Sequence, residues 1–538
     1  MTKKIILITL LSFLIRIYLF SYPPLLWDEA SLGYNAYSIL KTGKDEYGKF
    51  LPLIFKSFGD YKPGLYIYLT VPFVFIFGLN TLSVRLPSII LGSLSSCLLY
   101  LLITTINPKK KKNALLSALL LSITPFHIHF SRGAWETNIL TFQILLASYF
   151  FYKFIKTSNA RHILSSAIIF GLSLYTYQSA KMISFFFVLF LFLSNIKFII
   201  KNYKTFLIYF VFPLFIFSLF IATRLFTASD SNRLKVLSIF SYPKTDSQNN
   251  QLISYSSPIQ FKLFNNNTVF FTRYIFQKYF NHLSPYFLFF KGDWSNPRHS
   301  AIYTGVLLLP SIIFLPLGLI STKVKSKISI FFLFWLLVAP IPSALTRDSI
   351  TAVRSASLVI PLTYFTSHGL VYFFSKISKY KIIFIFLTIV GYLLSFFYYN
   401  DLYFNHTAKT HPSDYLYGYK QAVEYINKNK SKYENIYLSD FYGQPYIFYL
   451  FYSQYPPHLY QKNADLVSDS IDVGKIENID NIFFQTHQFS PDQIDNLTIF
   501  SKDEILRQQL DKLENFDSLF DPIGVINNQA QFYAYPKN

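Results

Sequence analysis

The sequence predicts an α-helical polytopic membrane protein with a small α/β domain at its C-terminal end. Composition is the first reason, because 52% of the 538 residues are hydrophobic and only 14% are charged, against about 25% charged in soluble domains. Apolar segments are the second reason. Stretches of about twenty residues, long enough to cross a ~30 Å hydrocarbon core, recur up to residue 400. Beyond Asp401 acidic residues become frequent, which indicates a different kind of domain.

The apolar segments predict about eleven transmembrane helices. The expected ranges are 4–21, 83–106, 113–131, 137–156, 162–180, 182–200, 205–226, 301–321, 328–345, 355–375 and 381–399. No small-residue cleavage site follows the first segment, so we expect an uncleaved anchor. The segment from Gly64 to Gly78 is also apolar, but counting it as a span would reverse every later loop. We therefore expect a juxtamembrane or re-entrant helix there.

Basic residues orient the predicted helices. Clusters of lysine and arginine fall in alternate loops, at 109–112, 153–161, 197–204, 323–327 and 376–381. Because basic loops stay in the cytoplasm, we expect these loops and the N-terminus on the cytoplasmic side of a plasma membrane. The net charge of +21 is thereby explained by position, and we predict membrane lipid rather than nucleic acid as the surrounding partner.

The predicted topology divides the chain at residue 400. Residues 1–400 form the transmembrane domain, with outer loops at 23–80 and 227–300, and residues 401–538 form an extracytoplasmic α/β domain. In that domain the periodicity predicts helices over Tyr419–Asn429 and Glu504–Leu513 and strands over Asn435–Leu438 and Asn481–Phe484. The single cysteine, Cys97, cannot form an intramolecular disulfide.

Two adjacent carboxylates, Asp28 and Glu29, follow the first predicted membrane helix. Acids at membrane level are costly to desolvate and usually mark a substrate pathway. A placed carboxylate also accelerates the attack of a hydroxyl group by accepting its proton. We therefore regard both as candidate catalytic residues, with Asp28 as the general base. The alternative is that Asp28 caps a helix over Ala30–Leu40.

The first 140 residues resemble GT-C glycosyltransferases, and the resemblance continues more weakly to about residue 400. It rests on Trp27-Asp28-Glu29, Tyr34-Asn35-Ala36-Tyr37, Gly43-Lys44-Asp45-Glu46-Tyr47-Gly48, Asp60-Tyr61-Lys62-Pro63-Gly64-Leu65-Tyr66 and Val84-Arg85-Leu86-Pro87-Ser88. The sequence is similar to dolichyl-phosphate-mannose protein mannosyltransferases and to the bacterial aminoarabinose transferase that acts on lipid A. This resemblance implies an inverting transfer of a sugar from a polyprenyl phosphate to an acceptor hydroxyl at the outer face, with Lys62 contacting the donor phosphate.

The resemblance also implies roles for residues after the third predicted span. Relatives carry an arginine there and an acid, usually aspartate, four residues later, and this chain has Arg132 and Glu136. We regard Arg132 as a phosphate-binding candidate and Glu136 as a catalytic one. The alternative is an i,i+4 ion pair within one helix.

Arg354 begins the tenth predicted span, where relatives place an arginine beside the donor phosphate. A guanidinium fork matches phosphate oxygens and keeps its charge. The alternative is an interfacial arginine that snorkels. Lys181 is a weaker phosphate-binding candidate. Asp293, Arg298 and His299 close the long outer loop and either cover the site or form an interfacial turn.

A metal cofactor is not predicted, although a divalent cation stays open. His127 and His129 point about 200° apart on a helix and share no face. In aminoarabinose transferases a glutamate before the Lys-Pro motif helps to hold zinc. This chain has Tyr61 there, with Asp60 one position away.

Two other functions share some of these features. A flippase or transporter for lipid-linked sugars would have similar spans, but its charges would line a path through the helices. A catalytically silent envelope scaffold would have no reason to keep Asp28, Lys62, Arg132 and Glu136 near lipid. A polyprenyl-phosphate sugar as co-substrate also explains why no glycine-rich nucleotide loop is present. Protein, lipid and cell-envelope glycan acceptors all remain open.

Overall fold

The computed structural model describes residues 3–225, 237–463, 467–470, 473–492 and 494–537. The chain forms two compact units. The helical unit comprises Met1–Ile17 and Ser88–Asn400, and the mixed unit comprises Tyr18–Pro87 and Asp401–Asn538. The helical unit ends at Asn400, and the second segment of the mixed unit begins at Asp401. The first loop, however, packs with the tail. Residues 227–236 of the predicted long loop lie outside the described residues.

Most of the helical unit is α-helix. Its longer helices are Lys3–Ile17, Thr81–Ile106 (which begins in the mixed unit), Lys111–Ile123, Pro125–Arg132, Glu136–Thr157, Ala160–Ser173, Ala180–Ser194, Phe212–Leu225, Asp246–Ser254, Asn267–Asn281, Ser311–Ile320, Lys327–Val338, Val359–Lys376 and Lys381–Asp401. Shorter helical turns join them at Ile196–Lys201, Tyr203–Phe206, Leu207–Val211, Pro258–Phe264, Tyr286–Lys291, Ile341–Ala344 and Val353–Leu358.

Fewer helices are long enough to cross a membrane than the sequence predicts. Among the described residues six pass by length and composition, at Thr81–Ile106, Glu136–Thr157, Tyr203–Ile221, Lys327–Ala344, Val353–Lys376 and Lys381–Thr410. A bent pair, Pro108–Ile123 with Pro125–Arg132, would make seven. The expected helix 301–321 starts only at Ser311, because Val306 and Leu307 donate their N–H groups to the carbonyls of Phe287 and Leu288.

The expected helix 113–131 is broken at Thr124, where the two halves meet at 56°. Pro125 has no N–H, so the Leu121 carbonyl loses its helical donor. Arg16 donates instead to the carbonyl oxygens of Ser122 at 3.1 Å and Leu121 at 3.5 Å. Backbone groups at membrane depth need such partners, and Arg16 supplies them from a fully buried position.

Close helix packing in the helical unit depends on glycine. Gly318 and Gly369 lie where the helices Ser311–Ile320 and Val359–Lys376 meet. A Cβ at Gly318 would lie 1.8 Å from the Phe365 carbonyl oxygen, and one at Gly369 would lie 1.8 Å from that of Phe314. Small residues that let backbones approach are typical of helix contacts in membranes.

In the mixed unit the first loop forms two helices and a hairpin. The helices are Trp27–Thr42 and Leu65–Phe77, and the antiparallel strands are Ile54–Ser57 and Asp60–Pro63. The first helix starts earlier than expected, with Leu26 as its N-cap. Asp28 therefore lies in the first turn, and the alternative that it caps the helix is wrong. The expected helix over Gly64–Gly78 is present with 13 residues, which is too short to span a bilayer.

The tail forms a mixed six-stranded sheet. From edge to edge the strands are Asn478–Ile479, Ile482–Phe484, Asn435–Leu438, Asn496–Ser501, Gln529–Tyr535 and Asp521–Ile526. Asn435–Leu438 is parallel to both neighbours, whereas the other pairs are antiparallel. A separate pair joins Val467–Ser470 to Val473–Lys475. The helices are Tyr419–Asn429, Pro445–Tyr452, Pro457–Asn463, Lys502–Arg507 and Phe516–Leu519, with a turn at Leu510–Lys512.

Two of the four elements predicted in the tail have the expected bounds. Tyr419–Asn429 is a helix and Asn435–Leu438 is a strand. The helix expected over Glu504–Leu513 instead ends at Arg507, because Gln509 adopts a left-handed conformation with φ of 55°.

The first loop packs on the tail through the helix Trp27–Thr42. A Cβ at Gly33 would lie 2.6 Å from the Phe451 ring, so only glycine permits this approach. The Tyr34 hydroxyl donates to the Tyr455 carbonyl at 3.0 Å. Gln461 Nε2 donates to Ser38 Oγ at 3.0 Å. The first loop and the tail therefore form one packed body.

Candidate active site

The candidate base and the candidate phosphate-binding lysine contact each other in the mixed unit. Asp28 lies in the first turn of the helix Trp27–Thr42, where the positive end of the helix dipole favours a carboxylate. Lys62, on the strand Asp60–Pro63, donates its ammonium group to Asp28 Oδ1. The Asp28 side chain is 44% exposed and that of Lys62 14% exposed. The acid is thus open to solvent on one side and paired with a cation on the other.

Glu29 is paired with an arginine to which sequence reasoning gave no role. Arg85 donates from Nε to Glu29 Oε1 at 2.8 Å and from Nη2 to Oε2 at 2.6 Å, and both side chains are buried. Arg85 also donates to the carbonyl oxygens of Phe20 and Pro23. Glu29 Oε2 accepts the Leu26 N–H at 3.1 Å. This bidentate pair fixes the chain at the start of the helix that carries Asp28.

A second buried acid, Glu46, lies in the same unit and was also missed. Its side chain is 1% exposed. Asn35 Nδ2 donates to Glu46 Oε1 at 2.9 Å, and Asn35 Oδ1 accepts the Glu46 N–H at 3.1 Å. Burial raises the pKa of Glu46 to about 8, although the hydrogen bond from Asn35 and the positive charges of Lys62 and Lys56 act in the opposite direction. Glu46 is therefore largely neutral at pH 7.

Arg132 and Glu136 lie in the helical unit on two different helices. One helix ends at Arg132 and the next begins at Glu136. The alternative placed both residues in one helix, and on that point it is wrong. Arg132 is buried, and its Nη1 donates to the carbonyl oxygens of Ile15 at 2.8 Å and Arg16 at 3.0 Å. These contacts satisfy carbonyl groups at the end of the helix Lys3–Ile17.

The predicted cover residues form a well-defined polar loop in the helical unit. Asp293 is 4% exposed and its Oδ2 accepts a hydrogen bond from His299 Nδ1 at 2.9 Å. Burial alone would raise the pKa of Asp293, but His299 and backbone N–H groups hold it below its usual range. The Arg298 carbonyl oxygen lies 2.8 Å from His129 Nε2. The loop is thereby joined to the helix Pro125–Arg132.

The other two phosphate-binding candidates are also in the helical unit. Arg354 Nη1 donates to Asp348 Oδ2 at 2.9 Å and to the hydroxyl groups of Thr346 and Thr351 at 3.2 and 3.3 Å. Lys181 Nζ donates to Gln178 Oε1 at 2.9 Å. Each cation is held by groups that a phosphate oxygen could replace.

The two histidines on the helix Pro125–Arg132 have separate partners. His127 Nδ1 lies 2.7 Å from Arg16 Nη2, whereas His129 contacts the loop at Arg298. Within the described part of the chain, no three His, Cys, Asp or Glu side chains come together as a metal site would need.

The N-terminal part of the chain matches a known protein family. Residues 6–231 match the family described as dolichyl-phosphate-mannose-protein mannosyltransferase. The predicted resemblance is confirmed. The matched range includes Asp28, Lys62, Arg132 and Glu136 of the candidate site, whereas Arg354 and the loop with His299 lie beyond it. No sequence among curated proteins is significantly similar to the chain.

Solved membrane glycosyltransferases share low sequence identity with the chain. The oligosaccharyltransferase of Archaeoglobus fulgidus is 12% identical, with a TM-score of 0.47 over 84% of this chain and 62% of that one. The chain thus spans less than two thirds of its length. ArnT from Cupriavidus metallidurans is 10% identical. Its apo structure gives a TM-score of 0.49 over 94% of this chain and 93% of that one. The structure bound to undecaprenyl phosphate gives 0.48 over 98% and 97%.

Proposed function

We propose that the protein is a glycosyltransferase that moves a sugar from a polyprenyl-phosphate donor to an acceptor hydroxyl group, with inversion at the anomeric carbon. The contact between Asp28 and Lys62, inside the segment that matches the mannosyltransferase family, carries this proposal. It places a proton acceptor and a phosphate-binding cation side by side. Both are needed in one displacement.

The reaction is a single displacement. The acceptor oxygen attacks the anomeric carbon from the face opposite the phosphate, and the Asp28 carboxylate takes the hydroxyl proton. The bond between the anomeric carbon and the phosphate oxygen breaks, and its electron pair leaves on the polyprenyl phosphate. Lys62 stabilises the charge that develops on that phosphate. When the donor binds, its phosphate competes with Asp28 for the Lys62 ammonium group.

The proton goes to Asp28 rather than to Glu29 in this proposal. Arg85 occupies both oxygens of Glu29 from within the protein, whereas Asp28 is half-exposed. Glu29 then fixes the position of its neighbour. Glu136 is the second candidate base, at the start of its own helix. Arg132, Arg354 and Lys181 remain phosphate-binding candidates on the helical unit.

The lipid part of the donor needs an apolar site. The helical unit contains an apolar cavity of about 700 Å³, within the range of typical small-molecule sites. Its lining includes Phe289, Leu308, Ile312, Leu394 and Tyr398. A hydrocarbon chain suits a cavity of this size and lining. The reaction then takes place at the outer face of the plasma membrane, with the basic loops in the cytoplasm.

Purified protein in lipid nanodiscs, given defined polyprenyl-phosphate sugars and candidate acceptors, tests the function through release of polyprenyl phosphate. We expect Asp28→Asn to lower turnover by about 100-fold or more while donor binding persists, because a general base contributes about 10²- to 10⁴-fold. Glu424→Gln, at an exposed carboxylate on a tail helix, is the matched control and should retain full activity. Normal turnover in Asp28→Asn would transfer the role to Glu136. No release from any donor would instead favour a transporter.

A further inference from the structure

The hairpin that carries Lys62 turns through an aromatic residue with an unusual backbone conformation. Its strands pair Ser57 with Asp60, so Phe58 and Gly59 form a two-residue turn. Both have positive φ, 50° at Phe58 and 76° at Gly59. Such turns favour asparagine or aspartate before the glycine, because a bulky side chain is strained at positive φ. Strain of this kind persists where surrounding contacts hold the residue, and it is common at functional sites.

The buried side chain of Phe58 contacts both a cation and the tail of the same unit. The Lys62 ammonium nitrogen lies over the ring, 5.0 Å from its centre, which is within the range of a cation–π contact. The ring also packs edge to face against that of Tyr446, with the ring centres 6.1 Å apart. The strained residue therefore joins the candidate phosphate-binding cation to the tail.

Two of the partners of Lys62 differ in kind. Asp28 is a carboxylate whose charge changes in the proposed reaction, because it takes the proton of the acceptor hydroxyl group. The face of the Phe58 ring attracts a cation through a fixed quadrupole, which no proton transfer removes. This attraction is stronger away from water, and the Lys62 side chain is only 14% exposed. The ring can therefore hold the ammonium group both before and after Asp28 is protonated.

We propose that Phe58 is the positioning residue of Lys62, and that its ring keeps the ammonium group in place for the donor phosphate while Asp28 loses its negative charge. This inference rests on the proposed function and adds a residue that acts through Lys62. Before the reaction Asp28 and Phe58 both hold the cation. In the transition state Asp28 is partly neutralised, so the ring contributes a larger share. Weakening the ring should therefore lower kcat by a larger factor than it raises the donor KM.

Fluorinated phenylalanines test this contact with little change in the shape of the side chain. Each fluorine weakens the negative face of the ring, so Phe58 is replaced by its mono-, di- and trifluoro forms in the full-length protein. Release of polyprenyl phosphate gives kcat and the donor KM. The matched control is the same series at Phe448, a buried ring stacked on that of Tyr419 at 4.5 Å. Phe58→Tyr keeps the aromatic face, whereas Phe58→Leu keeps only an apolar side chain.

We expect kcat to fall with each added fluorine at Phe58, reaching about three- to thirty-fold at the trifluoro form, as for a partly desolvated cation–π contact. Phe58→Tyr should retain most of the activity, and Phe58→Leu should be at least as slow as the trifluoro form. The Phe448 series should leave kcat unchanged. In Lys62→Ala, assayed in single turnovers because it is slow, the trifluoro ring at Phe58 should cost less than about two-fold, since the cation is absent.

A kcat that does not follow the number of fluorines would overturn this inference, and so would an equal cost of the trifluoro ring with and without Lys62. Phe58 would then only pack against Tyr446. Both results would leave the proposed function intact, because the wild-type protein would still transfer the sugar. If Phe58→Leu does not fold, the fluorinated series decides alone. Failure of the wild-type protein to release polyprenyl phosphate from any donor would overturn the proposed function and this inference with it.

Discussion

Glu46 gives the mixed unit a stability that depends on pH, and a single amide substitution should remove the part of that dependence that Glu46 contributes. The carboxyl group is buried, and Asn35 binds only one of its oxygens. No hydrogen bond from a described residue reaches the other oxygen, Oε2. Its surroundings include the buried phenols of Tyr47, Tyr446 and Tyr460, whose pKa values burial raises well above 10. Nothing there favours a negative charge enough to offset the loss of water.

The direction of the effect follows from the two pKa values. In the unfolded chain Glu46 titrates near 4.5, and in the folded protein near 8. Between these values the folded state holds a proton that the unfolded state has lost. The free energy of unfolding therefore falls as pH rises, by up to about 1.4 kcal/mol per pH unit. From pH 5 to pH 7 the loss is about 3 kcal/mol at most.

Glu46→Gln keeps the size of the side chain and the oxygen that Asn35 binds, but it cannot ionise. The difference in unfolding free energy between variant and wild type should therefore grow by about 3 kcal/mol from pH 5 to pH 7. For a body of roughly 200 residues this corresponds to about 6–12 °C in the midpoint of unfolding. Any effect of the amide that does not depend on pH changes the free energy of unfolding equally at pH 5 and pH 7, so it cancels from this comparison.

The assay must report on the mixed unit alone. Full-length protein is heated at each pH, returned to one pH and digested, and loss of intact peptides from Tyr419–Asn429 gives the midpoint. Glu424→Gln is the control and should run parallel to the wild type. Part of the slope will remain in Glu46→Gln, because burial also raises the pKa of Asp45. Parallel curves for Glu46→Gln and the wild type would refute the reasoning, since Glu46 would then be ionised in the folded protein.

Two further predictions concern the charged residues of the candidate site. Lys62→Ala and Arg354→Ala should raise the donor KM and lower kcat by a larger factor, because each cation stabilises the leaving phosphate more as its charge develops. Steady-state kinetics with a fixed acceptor concentration would show this. Unchanged donor kinetics in both variants would mean that the two residues have only a structural role. Arg85→Met should destabilise the mixed unit by about 3–5 kcal/mol, because Glu29 would be buried without its partner. The peptide assay would measure the loss of stability, and the double variant Arg85→Met with Glu29→Leu should regain part of it. An unfolding midpoint that is unchanged in Arg85→Met would contradict the prediction.

The elements that the sequence predicted correctly are those that local patterns determine. The helix Tyr419–Asn429 has apolar residues on one face, and Ala422, Val423 and Ile426 on that face are buried. The strand Asn435–Leu438 alternates buried and half-buried side chains. Both signals lie within one stretch of chain, so they require no knowledge of the rest of the fold.

The sequence could not predict features that depend on distant partners. Pro125 is a local signal for the break at Thr124, but the carbonyl groups there are satisfied by Arg16, more than a hundred residues earlier. The first loop packs on a tail that begins at Asp401. Hydropathy also overestimated the length of the helix expected from residue 301. It measures how apolar a segment is and gives no information on its hydrogen bonding. An apolar stretch whose N–H groups pair with another segment has the same hydropathy as a helix.

For the candidate site, sequence reasoning found Asp28 and Lys62, which do contact each other. It kept Glu29 as a further catalytic candidate beside Asp28, because adjacent acids look alike without their partners. The sequence did contain a signal for the partner of Glu29, since Arg85 is a cation within the otherwise apolar helix Thr81–Ile106. A charged residue in such a segment is a functional or structural centre by default. The same signal applied to Arg16.

These two buried arginines also show that charge is only part of what such positions require. Each guanidinium donates to carbonyl oxygens where a helix has ended or broken, at Leu121 and Ser122 for Arg16 and at Phe20 and Pro23 for Arg85. A guanidinium has five N–H donors in a rigid fork, whereas an ammonium group is a compact centre with three. A lysine would therefore keep the charge but leave carbonyl groups without partners in an apolar setting. At both positions the geometry of the donor group, and not its charge alone, allows the chain to leave a helix.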